Sequence, residues 1–297
     1  MKPRRLNRVA AKPHRSNRAA VQARFLWRVL ARLVAAAVSL LFLYPYLWML
    51  SGAFRSTRDI LSAPLHLWPE HFDLSGFSSI ADVGGVSLLR CLVNSLVITG
   101  ASTALAVAVA ALGAYAITRR PTALAFRLLR GGFLLSMMYP YMLLVIPVYL
   151  VMYHLGLLGG YLGIVLFLAL GPIQFFLFEQ FFRTIPPAMI EAASIDGANE
   201  FQVLRLIILP MARAVVATVA VITFLLNWAQ WFPVMVISAS PDTYTLPVAL
   251  LNLNGELGTN FQGIMALAVI TTVPPALLFL LAQRQVMGGM TEGAIKG

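Results

Sequence analysis

The chain is poor in charged residues, which occupy 11% of its 297 positions, while apolar residues occupy 60%. Soluble domains carry about 25% charged residues. This composition excludes an ordinary soluble domain and predicts a protein embedded in a membrane. Cysteine is nearly missing too, since Cys91 stands alone and no disulfide can form within the chain. We interpret Cys91 as a small apolar residue of the core.

Patterns that bind nucleotides, bind metals or perform catalysis are also missing. A phosphate-cradling loop places a lysine after a glycine, whereas the three lysines, Lys2, Lys12 and Lys296, stand in no such context. No cluster of Cys and His has the spacing of a metal site, and no combination of Ser, His and Asp points to a catalytic one. We therefore predict no catalytic residue, no metal site and no enzyme activity. If ATP drives this protein, another subunit must bind it.

The N-terminus is strongly basic. Residues 1–32 contain ten basic residues, and no acidic residue precedes Asp59. Such a tail beside a membrane span is typical of a cytoplasmic terminus and attracts anionic lipid head groups. A transit peptide is the weaker alternative, and we predict no nucleic-acid partner. Residues 1–30 are therefore expected to form a basic cytoplasmic extension.

Apolar runs predict six transmembrane helices, because lipid requires backbone polar groups to pair within a segment. The predicted spans are 33–52, 92–117, 131–153, 160–182, 212–236 and 261–283. If the N-terminus is cytoplasmic, 19 of the 22 basic residues fall in segments on the inside, as the positive-inside rule requires. Both termini are then cytoplasmic, and residues 53–91 and 237–260 face outward. No ionisable residue lies in the middle of a span, which argues against a proton-coupled transporter.

A polar stretch, EAASIDGANEFQVLRLIILP, separates the fourth and fifth predicted spans and runs from Glu191 to Pro210. Two prolines just before it can start a helix, and the pair Asp196-Gly197 favours a turn that ends this helix. Phe201, Leu204 and Ile208 then mark the apolar face of a second helix. The stretch is expected to form two short amphipathic helices with a bend between them, which can lie on a membrane surface or in the groove of a partner.

The same stretch follows the pattern Glu-Ala-Ala, three residues, Gly, nine residues, Ile-any-Leu-Pro. This pattern resembles the EAA motif of the permease subunits of ATP-binding-cassette (ABC) importers. The segments SPDTYTLPVAL (240–250) and AQRQVMGGMTEGAIKG (282–297) look like the second permease of maltose-type sugar importers, and the likeness covers about residues 30–297. The resemblance implies an all-α integral membrane protein with six transmembrane helices and the type I ABC importer permease fold. Its permease domain would span 31–283, with cytoplasmic coupling helices in a loop at 184–211 and a cytoplasmic tail at 284–297.

The resemblance also implies partners and contact residues. The partners would be a homologous second permease, two ABC ATPase subunits that bind ATP and Mg²⁺, and an extracytoplasmic substrate-binding protein, all at the cytoplasmic (inner) membrane of a bacterium or archaeon. The residues implied to contact the ATPase in the coupling loop are Glu191, Ala192, Ala193, Asp196, Gly197, Ile207, Leu209 and Pro210. The residues implied to do so in the tail are Gly289, Thr291 and Gly293. A plain turn residue is the alternative for Asp196, and a frayed terminus is the alternative for the tail.

A sugar path needs amides for hydroxyl groups and aromatic rings for C–H surfaces. Amides and rings share neighbouring faces of the fifth predicted span, where Pro233 is expected to cause a kink. The candidate path residues are Asn227, Trp228, Gln230, Trp231, Gln174, Phe175 and Asn94. Hydrogen bonding between helices is the alternative role for the amides. The rival functions are an ABC permease for a non-sugar solute, a self-sufficient secondary transporter and an intramembrane enzyme.

Overall fold

The structure is a computed structural model that describes residues 17–256 and 260–294, with side chains over 22–253 and 260–283. It is almost entirely helical. The helices are α1 (Asn17–Gly52), α2 (Thr57–Ser62), α3 (Ser75–Ser79), α4 (Leu88–Arg119), α5 (Leu124–Met138), α6 (Tyr141–His154), α7 (Tyr161–Leu168), α8 (Pro172–Phe182), α9 (Pro187–Ile195), α10 (Glu200–Gln202), α11 (Leu209–Met211), α12 (Arg213–Trp228), α13 (Phe232–Ile237), α14 (Leu246–Glu256) and α15 (Phe261–Ala294). A π-helical turn, Val203–Ile208, joins α10 to α11, and β1 (Asp82–Val83) pairs with β2 (Val86–Ser87) in an antiparallel hairpin.

The described chain divides into two units between Leu50 and Ser51. The first unit consists of α1, a helix of 36 residues that continues to Gly52. Its Gln22–Gly52 part has a mean hydropathy of 2.0, and Pro45 lies inside the helix. The first predicted span is therefore helical, and the helix begins at least 16 residues before it, inside the basic extension.

Three helices are long and apolar enough to cross a membrane alone, at Gln22–Gly52, Leu88–Arg119 and Phe261–Gln283. Two bent pairs pass the same test when each is taken as one span: α7 with α8, bent by 47°, and Glu200–Met211 with α12, bent by 79°. The described residues thus contain three such spans, or up to five. The count of six stays a prediction.

Prolines divide the predicted spans in the middle of the chain. The third predicted span is shared between α5 and α6, which meet at Tyr139 and Pro140. The fourth breaks before Pro172, and the fifth breaks before Pro233, each proline standing in the first turn of the next helix. Proline has no N–H group and disfavours helical conformation in the residue before it, and Tyr139 before Pro140 and Gly171 before Pro172 are accordingly extended. The break in the fifth predicted span lies at residues 229–231, between the end of α12 at Trp228 and the start of α13 at Phe232, so Pro233 stands inside α13 rather than at a kink.

In the second unit, α4 is the central helix and packs against α7, α8, α12 and α14. Its buried face is rich in small residues, including Ala106, Ala110 and Ala114, which allow neighbouring helices to approach closely. Cys91 is fully buried on the same helix, in agreement with its interpretation as a core residue. The result is a closely packed bundle around α4.

The segment between α1 and α4 is folded tightly rather than extended. Arg55 is only 4% exposed, and its guanidinium donates to the backbone carbonyls of Asp59, Ala63 and His66 at 2.6–2.8 Å. A buried guanidinium is tolerated only when its donors are satisfied, and these three bonds close the chain around α2. The β1–β2 hairpin that follows packs into one cluster with α14 and α15.

Candidate coupling loop and translocation path

The first half of the predicted loop is a helix that ends in a glycine bend. Pro187 occupies the first turn of α9, where proline is well suited because its missing N–H needs no partner. Gly197 has φ +84°. The N–H of Gly197 donates to the backbone carbonyl of Ser194 at 3.1 Å, and the N–H of Ala198 donates to the backbone carbonyl of Ala193 at 3.0 Å. This is a Schellman motif, in which a left-handed residue closes the end of a helix. The bend therefore lies at the predicted Asp196-Gly197 pair.

The second half of the loop begins with a reciprocal cap. The Asn199 side chain accepts from the N–H of Gln202 at 2.9 Å, and the Gln202 side chain accepts from the N–H of Asn199 at 2.8 Å. Such a capping box satisfies two backbone donors that the helix itself cannot. The chain then runs through the π-helical turn to α11, so residues from Glu200 to Met211 form one segment.

This second segment is anchored in the core. Val203, Leu204 and Ile208 are at most 5% exposed and belong to one apolar cluster with side chains of α4 and α8. The apolar face predicted through Leu204 and Ile208 is thus present. Phe201, the third residue of that predicted face, is 64% exposed and does not join the cluster.

An ionic contact ties the same segment to the end of α4. The guanidinium of Arg119 donates to both carboxylate oxygens of Glu200, at 3.0 and 3.2 Å, and the Tyr115 hydroxyl donates to Oε2 at 2.6 Å. The bonds from Arg119 and then Tyr115 lower the pKa of Glu200, which lies in the loop, below its usual value. Bidentate contacts between arginine and a carboxylate fix the relative orientation of the two side chains as well as stabilising them. Sequence reasoning missed this contact, although Tyr115 and Arg119 lie one helical turn apart.

Exposed apolar side chains lie on both α9 and the segment Glu200–Met211. Ile195 is 86% exposed, and Leu206 on the second segment is 67% exposed. Of the residues implied to contact an ATPase, Ala193, Ile207 and Leu209 are half-buried, and the exposed ones are Glu191, Ala192, Asp196, Gly197 and Pro210. Large exposed apolar side chains beside polar ones are typical of a surface that binds a partner. The loop thus has an anchored segment and an exposed face.

A buried carboxylate lies at the end of α8 near the loop. The Glu179 side chain is 3% exposed and accepts from Arg130 of α5 at 2.8 Å and from Arg183 at 2.7 Å. The desolvation of a buried carboxylate requires such partners. The spacing of four between Glu179 and Arg183 could have indicated one of these contacts, whereas the contact with Arg130 links distant parts of the sequence.

Asparagines among the predicted path residues bind other helices. Asn94 is fully buried, donates to the carbonyls of Asp242 and Tyr244 at 2.8 Å, and accepts from the Tyr161 hydroxyl at 2.6 Å. Asn227 donates to the Ser102 hydroxyl at 3.0 Å and to a carbonyl of α7 at 3.2 Å. Both amides therefore have the interhelical contacts that were the alternative to path lining.

The aromatic candidates differ in exposure. Trp228 is buried and donates to the carbonyl of Thr271 at 3.1 Å. Phe175 is buried and stacks on Phe133, with the ring centroids 4.8 Å apart. Trp231 is 37% exposed. Trp231 therefore presents an aromatic face outside the core, whereas Trp228 and Phe175 do not.

The remaining path candidates are two glutamines. Gln174 is 6% exposed, and its Oε1 has no hydrogen-bond partner among the described residues. Gln230 is half-buried. Two cavities in the described part, of about 260 Å³ and 220 Å³, are lined by none of the seven candidates. The tail candidates fall on the helical backbone of α15, but their side chains lie outside the described residues.

Comparisons with known proteins agree with this fold. Residues 106–291 match the family described as "Binding-protein-dependent transport system inner membrane component". The trehalose transport system permease protein of Mycobacterium tuberculosis is 31% identical, over 91% of this chain and 97% of the relative. The sn-glycerol-3-phosphate transport system permease protein of Agrobacterium fabrum is 28% identical, over 92% of this chain and 99% of the relative.

A solved structure is also similar. A chain of a bacterial ABC transporter involved in the import of the acidic polysaccharide alginate superimposes with a TM-score of 0.74, at 22% identity, over 93% of this chain and 99% of the other. The fold is therefore that of an ABC importer permease. The chain belongs to the family of inner membrane components of binding-protein-dependent transport systems, and it is a multi-pass permease subunit rather than an enzyme.

Proposed function

We propose that this permease forms half of the translocation path of an ATP-driven importer for a sugar or a sugar derivative. The observation that carries the proposal is the Glu191–Pro210 loop, in which the EAA pattern folds into a capped helix, a glycine bend and an anchored segment. Support for a sugar comes from the relative named for trehalose transport, while the relative named for sn-glycerol-3-phosphate transport extends the range to a polyol phosphate. The partners would be a homologous second permease, two ABC ATPases that bind ATP and Mg²⁺, and a substrate-binding protein.

The exposed face of the loop would dock on an ATPase. Glu191 and Ala192 are exposed on α9, so a carboxylate and a small side chain are available to a partner that approaches closely. The bend at Gly197 sets the direction of α9 relative to the anchored segment. When ATP closes the ATPases, α9 would move with them, and the anchored segment would carry that movement to α4 and α8.

The basic residues support an orientation with the coupling loop and both termini in the cytoplasm, since most of them lie in the segments that this orientation places inside. Residues 53–91 and 237–260 would then face the substrate-binding protein. The tail residues Gly289, Thr291 and Gly293 would extend from α15 towards the ATPases.

The substrate path would lie between this permease and its partner, in keeping with the two cavities described above, neither of which is lined by a path candidate. Trp231 and Gln230 are accessible enough to line such a shared path, and the Oε1 of Gln174 still needs a partner. Asn94, Asn227 and Trp228 would act mainly by fixing the helices that shape it, and Phe175 by packing behind it.

The test is purification of the tagged chain from its native cells in mild detergent, with identification of the partners by mass. We expect an ATPase, a second permease and a binding protein, and we expect the binding protein to be stabilised against heat by sugars or polyol phosphates. Stabilisation by amino acids alone would favour a non-sugar ABC permease. A chain that purifies alone and transports in vesicles without ATP would contradict the proposal and favour a secondary transporter.

A further inference from the structure

A cavity of about 260 Å³ opens between the end of α4, the helix α5 and the end of α8. None of the predicted path or coupling residues lines it. Its lining combines arginine side chains with apolar ones. The lining residues are Ile117, Pro121, Phe126, Arg127, Arg130, Gly131, Leu134 and Arg183.

The positive charge of this cavity is only partly balanced. Arg130 and Arg183 share one carboxylate, since both donate to the same oxygen of Glu179, at 2.8 and 2.7 Å. Arg127 makes no ion pair or side-chain hydrogen bond within the described part of the chain. Arginines outnumber the carboxylate by three to one here, so the cavity favours an anion.

Hydrogen-bond donors remain available on these arginines. Arg130 uses Nε for Glu179, and Arg183 uses Nε and Nη2. Further terminal nitrogens of both groups, and the whole guanidinium of Arg127, have no recorded partner among the described residues. The planar guanidinium matches the geometry of phosphate oxygens and binds them in pairs.

The apolar part of the lining continues along α5. Leu124, Leu128, Leu135 and Met138 on this helix are all at least 60% exposed, and Leu134 joins the cavity itself. A small soluble anion would make no contact with this apolar surface. An amphiphile could bind the arginines with its charged group and pack its carbon chains against α5. The cavity is smaller than the roughly 300 Å³ of typical small-molecule pockets, so it can hold a head group but not a whole lipid.

We propose that this cavity binds the phosphate group of an anionic phospholipid, with the acyl chains lying along α5. The proposal rests on the orientation proposed above, in which this end of the bundle meets the cytoplasmic leaflet, but it does not depend on a sugar substrate. Basic pockets between helices on that side suit anionic head groups. Arg183 also lines the neighbouring cavity together with Pro187 and Ile190 of α9, so a bound lipid would lie next to the base of the coupling loop.

The test measures lipid binding to the purified permease complex in nanodiscs. Phosphatidylglycerol, added as vesicles, is the probe, and phosphatidylcholine added in the same way is the comparison. Arg127→Gln removes the arginine without a partner and leaves the Glu179 contacts intact. Arg120→Gln is the matched control. Arg120 lies between α4 and α5 and is exposed like Arg127, but it does not line the cavity. We expect the first variant to bind phosphatidylglycerol about fivefold more weakly, as the loss of one basic residue near a charged head group implies, and the control to bind normally.

Arg127→Lys keeps the charge but loses the paired geometry of the guanidinium, so it should restore part of the binding, which a merely structural role would not predict. Equal binding of both lipids, or equal losses in Arg127→Gln and Arg120→Gln, would overturn the proposal. Inorganic phosphate serves as a competitor. If millimolar phosphate displaces the lipid and binds to the detergent-purified complex by itself, the site is for free phosphate and the lipid assignment is wrong. The assay needs no transport, so its failure is distinct from failure of the proposed function.

Discussion

The bend at Gly197 offers a sharp test of how the loop binds its partner. Its φ of +84° lies in the left-handed region, and a Cβ added there would meet no heavy atom within 4 Å. Replacement by alanine therefore costs only the backbone strain, about 1–2 kcal/mol, with no steric clash. A relaxed backbone would also lose the two bonds of the Schellman motif.

If the loop escapes this strain by leaving the bent conformation, ATPase docking weakens by the same free energy. Because 1.4 kcal/mol corresponds to a factor of about 10 in a dissociation constant, Gly197→Ala should weaken docking by roughly fivefold to thirtyfold. The assay is the affinity of the purified ATPase for the permease in nanodiscs, measured by biolayer interferometry. Gly197→Asn should lose less, since asparagine tolerates the left-handed region better than alanine.

The matched control is Gly132→Ala. Gly132 lies inside α5, and a Cβ there also meets nothing within 4 Å, but alanine favours a helix by about 0.5–1 kcal/mol. The control should therefore bind the ATPase as the parent does. Unchanged docking in Gly197→Ala would refute the reasoning that the bend presents α9 to the ATPase.

Three further outcomes follow from the contacts. Asn94→Leu removes three hydrogen bonds of a fully buried amide and leaves the Tyr161 hydroxyl without its acceptor, so it should lower the free energy of unfolding by about 3 kcal/mol, seen as a lower melting temperature. Glu200→Gln weakens the contact with Arg119 and should lower uptake per ATP hydrolysed while ATPase affinity is kept. Because the folded pKa of Glu200 is lowered, its ionised form stabilises the loop above the unfolded pKa, and this contribution is lost as the pH falls through the folded pKa. Hydrogen exchange of the loop should therefore differ between parent and variant at pH 7, by under about 1 kcal/mol for so exposed a pair. In acid the two should exchange alike. Gln174→Leu removes a buried oxygen that has no partner among the described residues, so stability should be kept or raised, and lost uptake at normal stability would mark Gln174 as path-lining.

Local features of the loop could be predicted because they depend on neighbouring residues. The bend needs a residue that tolerates positive φ, and Gly197 supplies it directly after the helix. Pro187 in the first turn of α9 has a similarly local reason. Hydropathy located α1, α4 and α15 for the same reason, since a long apolar run is visible within the run itself.

Contacts between distant residues were not visible in this way. Arg119 and its partner Glu200 stand 81 positions apart, and no local pattern pairs them. Hydropathy also overlooked the breaks at prolines in the middle spans, because an average over many residues does not register one missing N–H group. Asn94 looked like a path residue, since a buried amide in a span must have a partner and the sequence could not show that backbone carbonyls supply it.

Under the proposed function, the two segments of the loop would have different roles in coupling. Ile190 is the one residue of α9 that is fully buried in the described structure, and the others leave the helix accessible. The segment that follows Gly197 buries Val203 and Ile208 in the same cluster as α8 and is held to α4 through Glu200. A movement imposed on α9 can therefore reach α8 directly through Ile190, and it can also pass through the bend into the segment Glu200–Met211. If the proposed function is right, α9 contacts the ATPase and Glu200–Met211 helps to transmit its movement, so changes at Gly197 should act on affinity and changes at Glu200 on the efficiency of transport.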